Sequence, residues 1–220
     1  MIVTIDGPAG AGKSSAARRL AQRLGFRFLD TGAMYRAVTL AALRQGIDWQ
    51  DRAALQRIAK ELRIELTDDR VFADGIDVTA AIRTSEITTL TLHAADNQAV
   101  RETLGQRQRE LADGVDVVTE GRDQATLVFP DADCKIYLTA SENQRAQRRH
   151  ADLIARGERV EFDHVLRQQQ LRDERDVARE FGGLTKTADS IEVCTDDMTP
   201  EQVVDQLEQI VRAAVAGRRC

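Results

Sequence analysis

Apolar and polar positions along the chain fall into two alternating kinds of run. The short kind is apolar almost throughout: "IVTID" (2–6), "FRFLD" (26–30), "VDVVTE" (115–120), "CKIYLTA" (134–140) and "SIEVCT" (190–195). Such runs read as buried strands, and the second and third of these end in an acid. The long kind repeats its apolar positions at helical spacing. "KSSAARRLAQRL" (13–24) is ended by Gly25, "GAMYRAVTLAALRQG" (32–46) stops at Gly46, and "DRAALQRIAKEL" (51–62) has Asp51 as N-cap. Residues 83–112 predict two helices in succession. "SENQRAQRRHADLIARG" (141–157) starts on Ser141 as N-cap, and 161–181 is helical. "TPEQVVDQLEQIVRAAVAG" (199–217) has Pro200 at its first helical position and Gly217 at its end. Strands alternating with helices predict an α/β fold with a parallel sheet covered on both faces. Only "RIELTDDRVFADGIDVT" (63–79) breaks the rhythm. Its alternation and its DD and DG turn signals predict a small antiparallel hairpin sheet over 63–82, an insert and not a separate domain.

Length and composition narrow this picture. A chain of 220 residues suits one domain, or one domain carrying an insert. No run of ~18 apolar residues is present. The first residues lack the basic region and cleavage site of a signal peptide, so a cytoplasmic protein is expected. Three scattered cysteines match neither a metal pattern nor a redox pair. Cys134 and Cys194 are expected in the core, and Cys220 at a frayed end. A net charge of −5 argues against a general nucleic-acid binder. Of 31 cationic side chains only four are lysine. That bias fits bidentate phosphate binding, and fits a GC-rich genome equally.

One of the four lysines stands in "GPAGAGKS", which meets GxxxxGK[ST] at every fixed position, directly after a strand and opening a helix. In that pattern the backbone N–H groups of Gly7, Pro8's neighbours Ala9, Gly10, Ala11 and Gly12, and the helix N-terminus, cradle phosphates. Lys13 reaches the β- and γ-phosphates and the Ser14 hydroxyl ligates Mg2+. The motif specifies a nucleoside triphosphate and not a reaction. A guanine-specifying N/T-K-x-D is missing, since in "TKTAD" Asp189 falls one position late.

Two loops after strands offer an acceptor site, since ligands of open α/β sheets bind at the C-terminal strand ends. "LDTGAMYRA" (29–37) carries Tyr35 and Arg36, which either hold a phosphate or serve as core and surface residues. "EGRDQAT" (120–126) carries Glu120, a candidate to orient Mg2+ or its water, then Arg122 and Asp123. These could face phosphate and an exocyclic amine, or form a turn ion pair. In "RDERDVARE" (172–180) Arg172, Arg175 and Arg179 share one helical stripe, with Asp173, Asp176 and Glu180 one position on. The stripe is either a solvated, ion-paired face or the phosphate-facing edge of a lid.

Taken in order, "IDGPAGAGKS", "LDTGAMYRA", "EGRDQATLVFPDA", "RAQRRH" and "RDERDVAR" resemble bacterial-type cytidylate kinases, collinearly over about residues 1–214. The resemblance implies the P-loop nucleoside monophosphate kinase fold: a five-stranded parallel sheet, a lid, and an enlarged monophosphate-binding domain. Residues 1–30 and 113–220 would form the core, with the lid at about 145–175. Residues 31–112 would form the monophosphate-binding domain, with its insert at about 63–100. It implies phosphorylation of CMP and dCMP with MgATP. A monomer with no obligate protein partner and no nucleic-acid or membrane partner is expected. Gly7 to Ser15 would wrap the ATP phosphates. Thr31, Tyr35, Arg36 and Arg122 would lie at the acceptor monophosphate. Arg101 and Asp123 would face cytosine, and Asp176 and Arg179 the sugar or phosphate end. Arg148, Arg149, Arg172 and Arg175 would reach phosphates from the lid.

The chain departs from the family at Gln124 and Ala125, where "GRDMGT" is usual. It has Leu92 where a serine helps read the base, with Thr89 and Thr91 as neighbouring substitutes, and Gly183 where a proline is usual. These bear on base selectivity and not on the phosphate machinery. The rival readings are a kinase for UMP, AMP or shikimate, and a P-loop switch without transfer chemistry.

Overall fold

The computed structural model describes residues 1–67 and 69–217. Cys220 and Asp68, half of the DD turn signal, lie outside them. Five parallel strands form the central sheet: β1 (Ile2–Asp6), β2 (Arg27–Asp30), β6 (Val117–Gly121), β7 (Cys134–Thr139) and β8 (Ile191–Cys194). Their spatial order is β2-β6-β1-β7-β8. β1 lies in the middle, paired with β6 and β7.

Alternation within the strands sends neighbouring residues to two separate cores. Phe28 and Val118 join Val3, Ile5 and Ile136 against α1 (Lys13–Leu24) and α8 (Pro200–Gly217). Leu29 and Val117 face the other way, against α2 (Thr31–Gln45), α3 (Arg52–Glu61) and α5 (Gln98–Ala112). The helix stops read from sequence behave as the chemistry demands. Gly25 and Gly46 adopt left-handed backbone with φ 69° and 64°. Asp51 and Ser141 accept from the backbone N–H groups of Ala54 and Gln144.

The predicted hairpin sheet is a three-stranded antiparallel sheet of β3 (Ile64–Leu66), β4 (Val71–Ala73) and β5 (Ile76–Asp77). A 3-10 turn (Ala81–Arg83) leads into α4 (Ser85–Ala95). Leu66, Val71 and Ala73 are buried in the same core as α2 and α5, so the sheet packs as an insert. A π-helical turn (Gln124–Val128) follows β6. The lid region is a hairpin of α6 (Glu142–Ala155) and α7 (Phe162–Ala178).

Two expectations are corrected here. Cys194 is exposed, because β8 is an edge strand with one side uncovered. Arg179 is not on the helix: α7 ends at Ala178, and Arg179 takes extended backbone with ψ 122°. The stripe of three arginines is therefore broken at its last member. Among the described residues no helix is long and apolar enough to cross a membrane.

Candidate active site

The glycine-rich turn leaves β1 at a point where only glycine fits. A Cβ on Gly7 would stand 1.9 Å from the Leu138 carbonyl oxygen. Gly10 and Gly12 hold φ of 80° and 89°, which lets the backbone curl into a nest of N–H groups ahead of α1. Lys13 is buried and donates to the Pro8 carbonyl at 2.8 Å. Burial first, then the charge of Arg122, pushes its ammonium down to about 7, with Glu120 opposing. Ser14 Oγ donates to Glu120 Oε1 at 2.9 Å, so the end of β6 meets the first turn of α1. Ser15 Oγ turns back onto the Gly12 carbonyl.

Other polar side chains pin this loop from outside the motif. Arg145, on α6, donates to the carbonyls of Ala140 and Ala9 at 2.9 and 3.0 Å and pairs with Asp173 of α7. Gln169, also on α7, donates to the same Ala9 oxygen. A cavity of about 230 Å³ opens beside Gly12 and Ser15. Arg148 lines it, bonded through its guanidinium to the hydroxyl and carbonyl of Thr195.

The acceptor side is built from ion pairs that cross between elements. Arg101 of α5 and Asp123 of the loop after β6 pair at 2.5 Å, both buried. The Arg101 guanidinium also donates to the Ala95 carbonyl and lies 5.4 Å from the centre of the Tyr35 ring. Burial raises the Tyr35 hydroxyl well above the usual tyrosine range. Gly182, at φ 73°, runs over Arg101 so closely that a Cβ would meet its Nε at 2.2 Å. Thr31 Oγ1 donates to the Glu120 carbonyl at 2.7 Å. Arg36 approaches Asp30 at 3.4 Å, and Arg83 of the insert approaches the same carboxylate at 3.8 Å.

Asp176 is the hub of the charge network. It accepts from Arg122 Nε at 2.8 Å and from Arg179 Nη2 at 3.0 Å, and Arg179 reaches on to Asp96 at 2.8 Å. Burial alone would raise the Asp176 carboxyl. Arg122, Arg172 and Arg179 together overcome that and hold it at about 2. Asp173 and Asp176 of "RDERDVARE" thus pair with arginines from other elements, Arg145 and Arg122, and within the stretch Asp176 also holds Arg179.

Arg172 has no ion pair among the described residues and keeps exposed surface. The protein crowding around it and the nearby charge of Arg122 lower it to about 10, with Arg36 and Arg149 adding to the repulsion. Lys13, Arg122, Arg172, Arg36 and Arg149 therefore share one field of positive charge, with Glu120 and Asp176 at its edge. Such a cluster suits phosphate. Arg36 Nε and Arg101 Nε are buried with no hydrogen-bond partner among the described residues, the second of them covered by Gly182. Arg175 is exposed and enters none of these contacts.

The departures from the family pattern have visible consequences. Ala125 does not take positive φ, so a glycine is not demanded there. Gln124 is buried, and its side chain accepts from Thr119 Oγ1 at 2.8 Å and donates to Gln108 Oε1 at 3.1 Å. Leu92 is half-buried, and the hydroxyls of Thr89 and Thr91 are spent on the carbonyls of Ser85 and Ile87 in their own helix. Gly183 packs against the Arg179 carbonyl, 2.5 Å from where a Cβ would stand.

Sequence reasoning missed Asp6, Asp30, Asp96, Arg145 and Gln169. For Asp6 and Asp30 a signal was present: each is an acid at the end of a strand, and Glu120 stands one residue before the end of β6. For Asp96, Arg145 and Gln169 the contacts are long-range and leave no local mark.

Across residues 3–213 the chain matches the family model described as cytidylate kinase. The chain belongs to the cytidylate kinase family. The cytidylate kinase of Rhodopirellula baltica is 48% identical over 215 residues, spanning 98% of this chain and 94% of its own. That of Caldanaerobacter subterraneus is 42% identical over 215 residues, spanning 98% and 96%. Among solved structures, a shikimate kinase from Bacteroides thetaiotaomicron superposes with a TM-score of 0.50 at 15% identity, covering 96% of this chain and 98% of that one. That likeness is one of fold alone.

Proposed function

We propose that this protein transfers the γ-phosphoryl group of ATP to CMP and dCMP, giving CDP and dCDP. The observation that carries the reading is the union of two sites at one end of the sheet. A P-loop with its lysine faces a cation cluster that continues into the buried Arg101–Asp123 pair. Family membership over nearly the whole chain supports the same reading.

The acceptor is a phosphate oxygen. A phosphomonoester has its second pKa near ~6, so at neutral pH it is largely dianionic and needs no strong protein base. What the protein must supply is position and charge neutralisation. Gly7 to Ser15 bind the ATP phosphates, and the cavity beside Arg148 takes the adenine end. Burial and Arg122 lower the Lys13 ammonium in the free protein, and phosphate charge arriving beside it favours the charged form. Arg36 and Arg122, with Thr31 and Tyr35 close by, hold the acceptor phosphate, and Arg172 bridges acceptor and donor. Arg175 and Arg149 join from the lid when it closes, which also excludes water and so prevents hydrolysis of ATP. Asp123, oriented by Arg101, accepts from the exocyclic amine of cytosine, and Asp176 and Arg179 hold the sugar end.

Mg2+ fits the donors present. The Ser14 hydroxyl and the Glu120 carboxylate, 2.9 Å apart, are hard oxygen groups beside the phosphate nest. Bound there with ATP, directly or through water, the ion would neutralise phosphate charge.

The test is ADP release at fixed MgATP with CMP, dCMP, UMP, AMP or shikimate as acceptor. CMP and dCMP are expected to give the highest kcat/KM. Faster turnover with shikimate or AMP would move the assignment to another acceptor, and slow turnover unchanged by any acceptor would favour a nucleotide switch.

A further inference from the structure

Strand β1 ends on a carboxylate that lies outside the phosphate motif. Asp6 is 1% exposed. Its two oxygens serve different backbone donors: Oδ1 accepts from the Gln124 N–H at 3.0 Å and Oδ2 from the Ala125 N–H at 2.7 Å. These residues directly follow Arg122 and Asp123, the two ionised groups of the acceptor loop. On its other side Asp6 directly precedes Gly7, where the phosphate loop begins.

The anchor itself is rigid. In register Asp6 lies between Gly121 of β6 and Tyr137 of β7, and Gly7 is wedged against the Leu138 carbonyl. The loop it holds needs anchoring. The π-helical turn bonds Leu127 and Val128 back to the Asp123 carbonyl and Phe129 back to Gln124. Its opening amides, at 124 and 125, have no place in that pattern, as at any helix start. Asp6 supplies both acceptors, and the Gln124 side chain, bonded to Thr119 and Gln108, fixes the loop's other side.

We propose that Asp6 is a positioning residue for phosphoryl transfer, registering the Arg122–Asp123 loop against the phosphate loop so that acceptor and donor meet in line. The choice of CMP as acceptor rests on the function proposed above; the registration does not. Both Asp6 oxygens are used as acceptors, so asparagine is a poor substitute. One of its two groups is a donor, and that group would face a backbone N–H. The charged or titratable groups that face Asp6 are Lys13 and Asp123, with Tyr137 beside it on β7. The phosphate loop keeps its own supports, from Lys13 to Pro8 and from Arg145 and Gln169 to Ala9. Loss of Asp6 should therefore fall on the acceptor side.

The experiment compares wild type with Asp6→Asn in the full chain. In substrate-free protein, amide exchange at Gln124 and Ala125 is expected to speed up at least about tenfold, with the phosphate loop unchanged. In kinetics KM for CMP is expected to rise about tenfold and kcat to fall. The Kd of a non-hydrolysable ATP analogue should stay within about twofold. Unchanged exchange at 124 and 125, or an equal loss of ATP-analogue affinity, would overturn the proposal. If the wild type fails to phosphorylate CMP, the assigned reaction falls, while the exchange comparison still decides the registration. Should Asp6→Asn not fold, Asp6→Ser, which keeps one small acceptor, is subjected to the same measurements.

Discussion

The two halves of the site are made in different ways. The phosphate loop is contiguous: eight residues shaped by glycines with positive φ and set at the start of α1. The acceptor side is assembled from side chains on α2, α5, the loop after β6 and α7, with Asp96 just beyond α4 and Arg179 just beyond α7. The first depends on its backbone conformation and on the side chains of Lys13 and Ser14 at its end. The second depends on each long side chain finding a partner far along the chain, such as Arg122 with Asp176 or Arg101 with Asp123. Damage to the first should stop chemistry with every acceptor. Damage to the second should change which acceptor is used, and the stability of the fold.

The largest expected effect breaks the donor side. Lys13→Ala should lower kcat at least about 100-fold for every acceptor, since it removes preorganised charge at the transferred phosphoryl group. Thermal melting should show the fold intact, and near-normal turnover would contradict the role. Next, Asp123→Ala should reduce the preference for CMP over UMP in kcat/KM about tenfold, with ATP affinity little changed. It leaves Arg101 buried and unpaired, so a loss of about 3 kcal/mol in stability should accompany it. An equal loss of activity for every monophosphate would count against base recognition.

A third prediction separates charge from shape at the hub. The Asp176 carboxyl is held at about 2 in the folded protein, below its usual 3.8. A depressed carboxyl adds stability that is present above the unfolded value and lost as pH falls from 3.8 towards 2. At pH 7 this amounts to about 2 kcal/mol. Urea midpoints of wild type and Asp176→Asn should differ by a constant amount from pH 7 to pH 5, and the gap should close as pH approaches 2. A gap that persists unchanged into acid would mean that Asp176 acts through packing and not charge.

The smallest effect concerns a residue this chain does not share with its family's usual pattern. Gln124→Met should cost about 1–2 kcal/mol, because the buried Gln108 amide and Thr119 hydroxyl lose their partners. Combining it with Gln108→Leu should cost less than the sum of the single changes, as measured by thermal or urea unfolding.

How much of this was legible in sequence follows the same division. The sheet, the helix caps and the phosphate loop rest on periodicity, glycine and spacing, which act over a few residues. The insert sheet at 64–77 was readable for the same reason. The exposure of Cys194 was not, because an edge strand and a central strand look alike in a short apolar run. Reading "RDERDVARE" as one stripe assumed a helix through Arg179, but α7 stops at Ala178. Its acids were expected to hold the neighbouring arginines. Asp176 does hold Arg179, but Asp173 and Asp176 also reach Arg145 and Arg122, 28 and 54 residues away in the chain. No local pattern announces such partners. Asp6 lies between the two cases: the acid at the end of a strand is visible in sequence, while the two amides it holds are visible only once the chain is folded.

The most direct measurement of the central claim follows the phosphoryl group itself. With ATP labelled at the γ-phosphate, Mg2+ and CMP, the label is expected to appear in CDP, in step with ADP and with little free phosphate. Label released as inorganic phosphate at a rate indifferent to CMP would contradict the account.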